Sequence, residues 1–177
     1  ERWLPVDMYV GGAEHATRHL IYARFWHKFL YDIGAVTHVE PFTRLEHVGL
    51  IIAPDGRKMS KRYGNVINPD EYVKKYGIDA LRMYLMFLGP FTEGGDFRDS
   101  GIAGITRFLD RVWKLGEQLQ KKKKPSSRVH AASLHKTIKK VGEDIEHLHY
   151  NTAISQLMIL LNAFEERRDS VTAADFC

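Results

Sequence analysis

The sequence has a single cysteine, Cys177, at its last position. That excludes an internal disulfide framework and any zinc site built from several cysteines, and it fits a reducing compartment. No apolar run approaches the roughly 20 residues needed to cross a bilayer, and the mean hydropathy is −0.32, so a protein of membrane-spanning helices is not expected. The start, Glu1-Arg2-Trp3-Leu4-Pro5, lacks the charged-then-apolar order of a signal peptide. It also lacks methionine and reads as a piece excised from a longer chain. A large excess of one charge is missing too. Lys and Arg number 26 against 22 Asp and Glu, a net +4 that is compatible with nucleic acid without establishing it. What is present is globular: 44% hydrophobic, 27% charged and 11% aromatic residues over 177 positions, which rules out a disordered or collagen-like chain. That length allows one domain or two small ones.

The pattern changes near Gly101. Before it, short apolar runs alternate with helical periods and with loops rich in Gly, Pro and Asn. Val6, Met8 and Val10 alternate as in a strand, and Gly11-Gly12 breaks it. Glu14 to about Ile33 predicts a long helix, with Leu20, Ala23, Trp26, Phe29, Leu30 and Ile33 on an apolar face. The unbroken run Val48 to Ala53 predicts a second strand, so the three segments form a βαβ crossover. Asn68-Pro69-Asp70-Glu71 starts a short helix that ends at Gly77, and Asp79 opens another, up to Gly89-Pro90. Phe91 to Ser100 has no period and reads as a loop. Three helices follow, over Ile102–Gln120, Ala131 to about His149 and Thr152 to about Arg167. Their apolar stripes, including Trp113, read as the core of an antiparallel bundle. A further helix is expected to start near Ser170.

Two segments carry chemistry. The first, Tyr9-Val10-Gly11-Gly12-Ala13-Glu14-His15, leaves a strand through glycines into a helix, the edge of an α/β sheet where ligands sit. Glycines admit a ligand to the backbone, the helix start offers free N–H groups, and Glu14 suits ribose hydroxyls. His15 and His19 lie one turn apart, either as packing residues or as part of a ligand wall; the order of acid and histidines is wrong for a zinc-protease helix. The second segment, Arg57-Lys58-Met59-Ser60-Lys61-Arg62, follows a turn after a strand. A solvated basic loop is the plain reading, but two mobile point charges at a strand's carboxyl end suit a polyphosphate. The run Lys121–Lys124 reads as a solvated loop, with phosphate contact to RNA as the alternative.

Together these motifs resemble a class I aminoacyl-tRNA synthetase of the leucyl type. Lys58-Met59-Ser60-Lys61-Arg62 resembles that class's Lys-Met-Ser-Lys-Ser signature, with Arg62 in place of the last serine. Tyr9 to Ala16 with His19 to Phe25 is similar to the leucyl enzymes' adenosine- and leucine-binding segment. Asp79-Ala80-Leu81-Arg82 and Arg107 to Trp113 extend the match. The resemblance implies an α/β then all-α fold: a partial Rossmann-like parallel-sheet half over 1–100, followed by a truncated antiparallel bundle of the anticodon-binding type over 101–177. It implies that Gly11, Gly12, Glu14, Gly49 and Leu50 hold the adenosine of ATP or the adenylate. By the same resemblance Lys58 and Lys61 act on the triphosphate, with Met59 and Ser60 seating the loop, and Tyr9, His15 and His19 wall the leucine pocket. The implied partners are leucine, ATP with Mg²⁺, and tRNA(Leu), in a cytoplasmic, monomeric parent enzyme without a membrane role.

The departures are informative as well. No His-x-Gly-His sequence, the class's other signature, occurs among the 177 residues, and Val48 stands where the family often has glutamine. The chain therefore reads as the second half of a catalytic domain plus the first bundle helices, inactive by itself. Two alternatives stand beside it. One is a piece of an isoleucyl or valyl enzyme, in which Asp-Gln usually replaces Glu14-His15. The other is a non-catalytic RNA-binding module of the same fold.

Overall fold

The computed structural model describes residues 3–121 and 129–176. Among these, the elements run β1 (Tyr9–Gly11), α1 (His19–Asp32), β2 (Leu45–His47), β3 (Leu50–Ile52), α2 (Pro69–Tyr76), α3 (Ile78–Phe87) and β4 (Gly94–Asp96). Four more helices follow: α4 (Asp99–Lys121), α5 (Ala131–Glu146), α6 (Tyr150–Glu166) and α7 (Ala173–Phe176). The arrangement is a partial Rossmann-like half followed by a helical part. The chain forms two compact units: Glu1–Leu50 with Thr92–Gly94, and Ile51–Phe91 with Gly95–Cys177. No helix of the described residues is long and apolar enough to cross a membrane.

In the first unit, β1 and β2 pair in parallel, with Tyr9 opposite Leu45 and Gly11 opposite His47. α1 is the crossover between them. Its start is a 3-10 turn over Ala13–Thr17 rather than the α-helix expected from Glu14. The strand expected at Val48–Ala53 is split. The Val48 N–H donates to the Gly11 carbonyl at 3.0 Å and closes the first ladder. The chain then passes Gly49 and resumes as β3, which pairs with β4. α1 buries Leu20 and His27, and the His27 imidazole is 2.7 Å from the His38 carbonyl. Trp26, Phe29 and Ile33, expected on the buried face, are instead exposed. Arg24 Nε and Nη2 hold Glu40 at 2.8 and 2.7 Å, fastening α1 to the segment before β2. That guanidinium keeps the Glu40 carboxyl at about 2, below the usual carboxylate range.

The second unit carries the packed core. Ala80, Leu81, Tyr84, Phe97, Ile102, Ile105 and Ile154 form one buried cluster. Phe108, Leu115, Leu119, Leu161, Phe164 and Val171 form another. Asn68 caps α2 by accepting the Asp70 N–H at 3.1 Å, Pro69 occupies the first turn, and Gly77 ends the helix at φ 86°. The stretch expected as a loop at Phe91–Ser100 contains β4 and the first residues of α4. Gly94-Gly95-Asp96 has no apolar alternation to announce a strand, yet it lies against β3, with the Phe97 N–H donating to Ile52 O at 2.9 Å.

The bundle departs from its expected stripes at polar positions. Trp113 is 72% exposed rather than core, and Ile138 and Ile145 are also exposed. α5 buries Thr137 and Asp144 in their place. Asp144 accepts from Lys140 Nζ and from Thr152 Oγ1, and Gln156 Nε2 donates to Thr137 Oγ1 at 3.1 Å, so α5 meets α6 through satisfied hydrogen bonds. Lys121 ends α4, exposed, while Lys122–Lys124 lie outside the described residues.

Tyr84 is the polar pin of the core. It is 3% exposed, and its hydroxyl accepts the Arg98 N–H and donates to the Arg98 carbonyl, both at 2.7 Å. Burial raises the phenol's pKa. Tyr84→Phe strands both Arg98 groups and is expected to cost about 1–3 kcal/mol in urea unfolding. A loss under roughly 0.5 kcal/mol would show that the Arg98 backbone finds other partners.

Candidate functional site

In the first unit the predicted residues converge at the carboxyl edge of β1. Gly12 is extended (φ −66°, ψ 150°) and its carbonyl accepts the His15 N–H at 3.1 Å, turning the chain into the 3-10 segment. The Glu14 carboxylate folds back over Gly12: a Cβ placed there would lie 2.2 Å from Glu14 Oε2. A Cβ on Gly11 would meet the Tyr9 ring at 3.3 Å and His15 Cδ2 at 3.6 Å. Both glycines thus keep space that Tyr9, Glu14 and His15 border. The Tyr9 hydroxyl is 3.0 Å from His19 Nδ1, and the two rings stack 5.4 Å apart. His15 stands edge-on to both.

Two further residues belong to this edge that the sequence did not single out. Phe42 packs on Tyr9 with ring centroids 4.9 Å apart. His47 is paired with Gly11, and cross-strand partners share a face, so it lies on the Tyr9 and Gly11 side. The Nδ1 atoms of His15 and His47 are both buried without a hydrogen-bond partner among the described residues. Most buried polar atoms in folded proteins have a partner, so these two are exceptions. Strand alternation counted from the true end of β2 would have found His47; Phe42 carries no sequence signal.

Gly49 and Leu50 sit where the split strand bends. A Cβ on Gly49 would lie 1.9 Å from the Gly94 backbone nitrogen, so bare backbone meets bare backbone. Leu50 is 45% exposed.

In the second unit the basic loop leaves β3. Ile52 and Lys58 form an antiparallel bridge, and Ala53 N–H donates to Arg57 O at 2.9 Å. Ser60 caps a 3-10 turn over Lys61–Tyr63 by accepting the Arg62 N–H at 3.3 Å, and Gly64 ends it at φ 64°. Met59 packs against the core and anchors the loop. Arg57 is ion-paired with Asp55 at 2.8 Å. Lys58, Lys61 and Arg62 are exposed and make no ion pair among the described residues. An open cleft of about 490 Å³ lies beside the loop's base, lined by Ala53, Pro54, Gly56, Asp96 and Phe97. Three unpaired cations at the end of a strand can take a polyphosphate.

Residues 1–97 match the family model of class I tRNA synthetases (I, L, M and V). Among solved structures, the chain is similar to the agnB2 leucyl enzyme (LeuRS) of Agrobacterium radiobacter K84, seen in a ternary complex with tRNA and LeuAMS. The two are 34% identical, with a TM-score of 0.86 over 97% of this chain and 24% of that one. It also shares the fold of the methionyl-tRNA synthetase of Mycobacterium tuberculosis bound by methionyl-adenylate, at 18% identity and a TM-score of 0.69, covering 93% of this chain and 34% of that one. The chain thus spans about a quarter and about a third of the lengths of these two proteins.

Proposed function

The chain belongs to the class I tRNA synthetase family, and we propose that it carries the lysine-loop half of a leucine–tRNA ligase's catalytic site. The observation that carries this reading is the basic loop itself: Lys58 and Lys61 make no ion pair among the described residues at the carboxyl end of β3, while Arg57 is tied to Asp55. The 34% identity to a leucyl enzyme over nearly the whole chain favours leucine over methionine, where the likeness is one of fold.

In this reading the leucine carboxylate attacks the α-phosphorus of ATP and expels pyrophosphate to give leucyl-adenylate, and a ribose hydroxyl of the 3′-terminal adenosine of tRNA(Leu) then attacks its carbonyl, forming the leucyl ester and releasing AMP. The carboxylate is ionised at neutral pH, so the first step needs no general base. It needs in-line placement and positive charge where the leaving pyrophosphate develops negative charge. Lys58 and Lys61 supply that charge, and Met59 and Ser60 seat their loop. Gly11, Gly12 and Glu14 receive the adenosine, Gly49 and Leu50 offer backbone to the adenine, and Tyr9, His15 and His19 wall the amino-acid side chain. The loop's side chains are cations and fit the triphosphate rather than Mg²⁺, which would ride on phosphate oxygens. The helices from residue 101 onward form the start of an anticodon-binding-type domain, and the setting is the cytoplasm.

The test is amino-acid-dependent ATP–pyrophosphate exchange by a polypeptide that joins this chain to a His-x-Gly-His-bearing half. Leucine should support exchange at least about 100-fold better than isoleucine or valine, whose side chains differ from it in shape and size. The 177-residue chain alone should give none above background. A preference for methionine or isoleucine, or activity of the chain alone, would overturn the assignment.

A further inference from the structure

The basic loop is closed at its base by two side chains that the catalytic reading does not use. The Asn65 amide reaches three points of the loop at once. Its Oδ1 accepts the Ser60 N–H at 2.8 Å. Its Nδ2 lies 3.2 Å from both carboxylate oxygens of Asp55 and 3.3 Å from the Lys58 carbonyl. Asp55 in turn accepts the Arg57 backbone N–H at 3.0 Å, and its other oxygen takes the same residue's Nε and Nη2 at 3.0 and 2.8 Å. The Arg57 guanidinium lies 4.9 Å from the centre of the Tyr63 ring. Tyr63, Arg57, Asp55 and Asn65 therefore form a chain of contacts across the base of the segment that carries Lys58 and Lys61.

We propose that Asp55 and Asn65 are positioning residues, a latch that fixes the backbone between them so that Lys58 and Lys61 meet one polyphosphate as a preset pair. This rests on the triphosphate reading of the loop. Each residue ordered at binding costs roughly 1–2 kcal/mol of backbone entropy, so a loop already fixed binds an anion more tightly than a free one. The latch also sorts the four cations: Arg57 is consumed within it, and Lys58, Lys61 and Arg62 are left for the ligand. Residue 65 must both donate and accept, which an amide does and a carboxylate beside Asp55 does not. Hydrogen bonding from the Arg57 backbone outweighs burial and, with the Arg57 and Asn65 side chains, holds the Asp55 carboxyl below its ordinary range, so the latch keeps its charge at neutral pH.

The experiment is titration of the 177-residue chain with inorganic tripolyphosphate at low salt, with amide exchange read at Tyr63, whose N–H donates to the Ser60 carbonyl at 3.0 Å. Asn65→Ala should weaken binding on the order of 10-fold, because the loop loses the amide's bonds and must be ordered by the ligand, with the helical melt unchanged. In a Lys61→Ala background the same change should cost less than about 2-fold, because a residue acting through the lysines is coupled to them. Tyr63 exchange should quicken in Asn65→Ala and Asn65→Asp but not in Lys61→Ala. Unchanged Tyr63 exchange, unchanged affinity, or equal losses in both backgrounds would overturn the latch. If Lys61→Ala binds tripolyphosphate as the unaltered chain does, it is the triphosphate reading that falls.

Discussion

Lys61→Ala is expected to lower leucine-dependent ATP–pyrophosphate exchange by at least about 100-fold in the joined polypeptide, the loss that follows removal of one preorganised donor to a developing anion. The side chain has no ion-pair partner to give up among the described residues. Lys61 sits at the start of a 3-10 turn whose backbone is fastened by the Ser60 hydroxyl and Gly64, yet its amine is exposed and unpaired among the described residues. Its charge is therefore uncommitted until a phosphate arrives, and the cost of placing it is met in advance by the turn. Lys61→Arg keeps the charge but replaces a compact, strongly hydrated point with a planar fork, so it should recover only part of the rate. Melting temperature should change little in either variant, because neither removes a buried contact. If exchange in Lys61→Ala stays within a few-fold of the unaltered protein, the loop is an ordinary solvated one and the catalytic assignment fails.

The basic loop was legible because it combines two cues that do not depend on packing: a tight turn and a cluster of cations with a single acid, Asp55, close in sequence. The same holds for α2, whose Asn-Pro start and glycine stop are local chemistry. Legibility failed where the deciding partner is distant in sequence. What the Asn65 amide does is hidden until Asp55 and Ser60 are folded against it. Thr137 and Asp144 look like solvent-facing positions of α5, since no apolar period marks them, and only α6 supplies the partners that let them be buried. The reverse error befell Trp26, Phe29 and Trp113, whose apolar character predicted burial while the described residues leave them exposed. An unbroken apolar run likewise concealed the break at Gly49, because the break comes from another segment's backbone and not from the run itself.

That break carries the second large effect. Gly49→Ala is expected to destabilise the first unit by about 3 kcal/mol, the upper range for forcing atoms into a filled space. The added Cβ would lie 1.9 Å from the Gly94 nitrogen and 2.0 Å from the Glu93 carbonyl carbon. Those atoms are backbone and cannot rotate away as a side-chain end would. Gly94 is pinned from its own side, at φ 79° and with its Cβ position 2.1 Å from the Leu50 carbonyl oxygen, so the two glycines lock one crossing between them. The first unit has little reserve to absorb the shift, since Leu20, His27 and Pro41 are its only buried residues among those described. The loss should show as faster exchange of the Val48 amide, which closes the β1–β2 ladder on Gly11. Gly142→Ala is the control: no other segment of the described residues comes within 4 Å of its Cβ position inside α5, so it should be neutral or stabilising by roughly 0.5–1 kcal/mol. If Gly49→Ala matches Gly142→Ala, the close crossing is not what bends the strand. If it behaves as expected, the same substitution should also weaken adenosine binding, because the exposed backbone proposed to meet the base is held in place by the contact that the methyl group destroys.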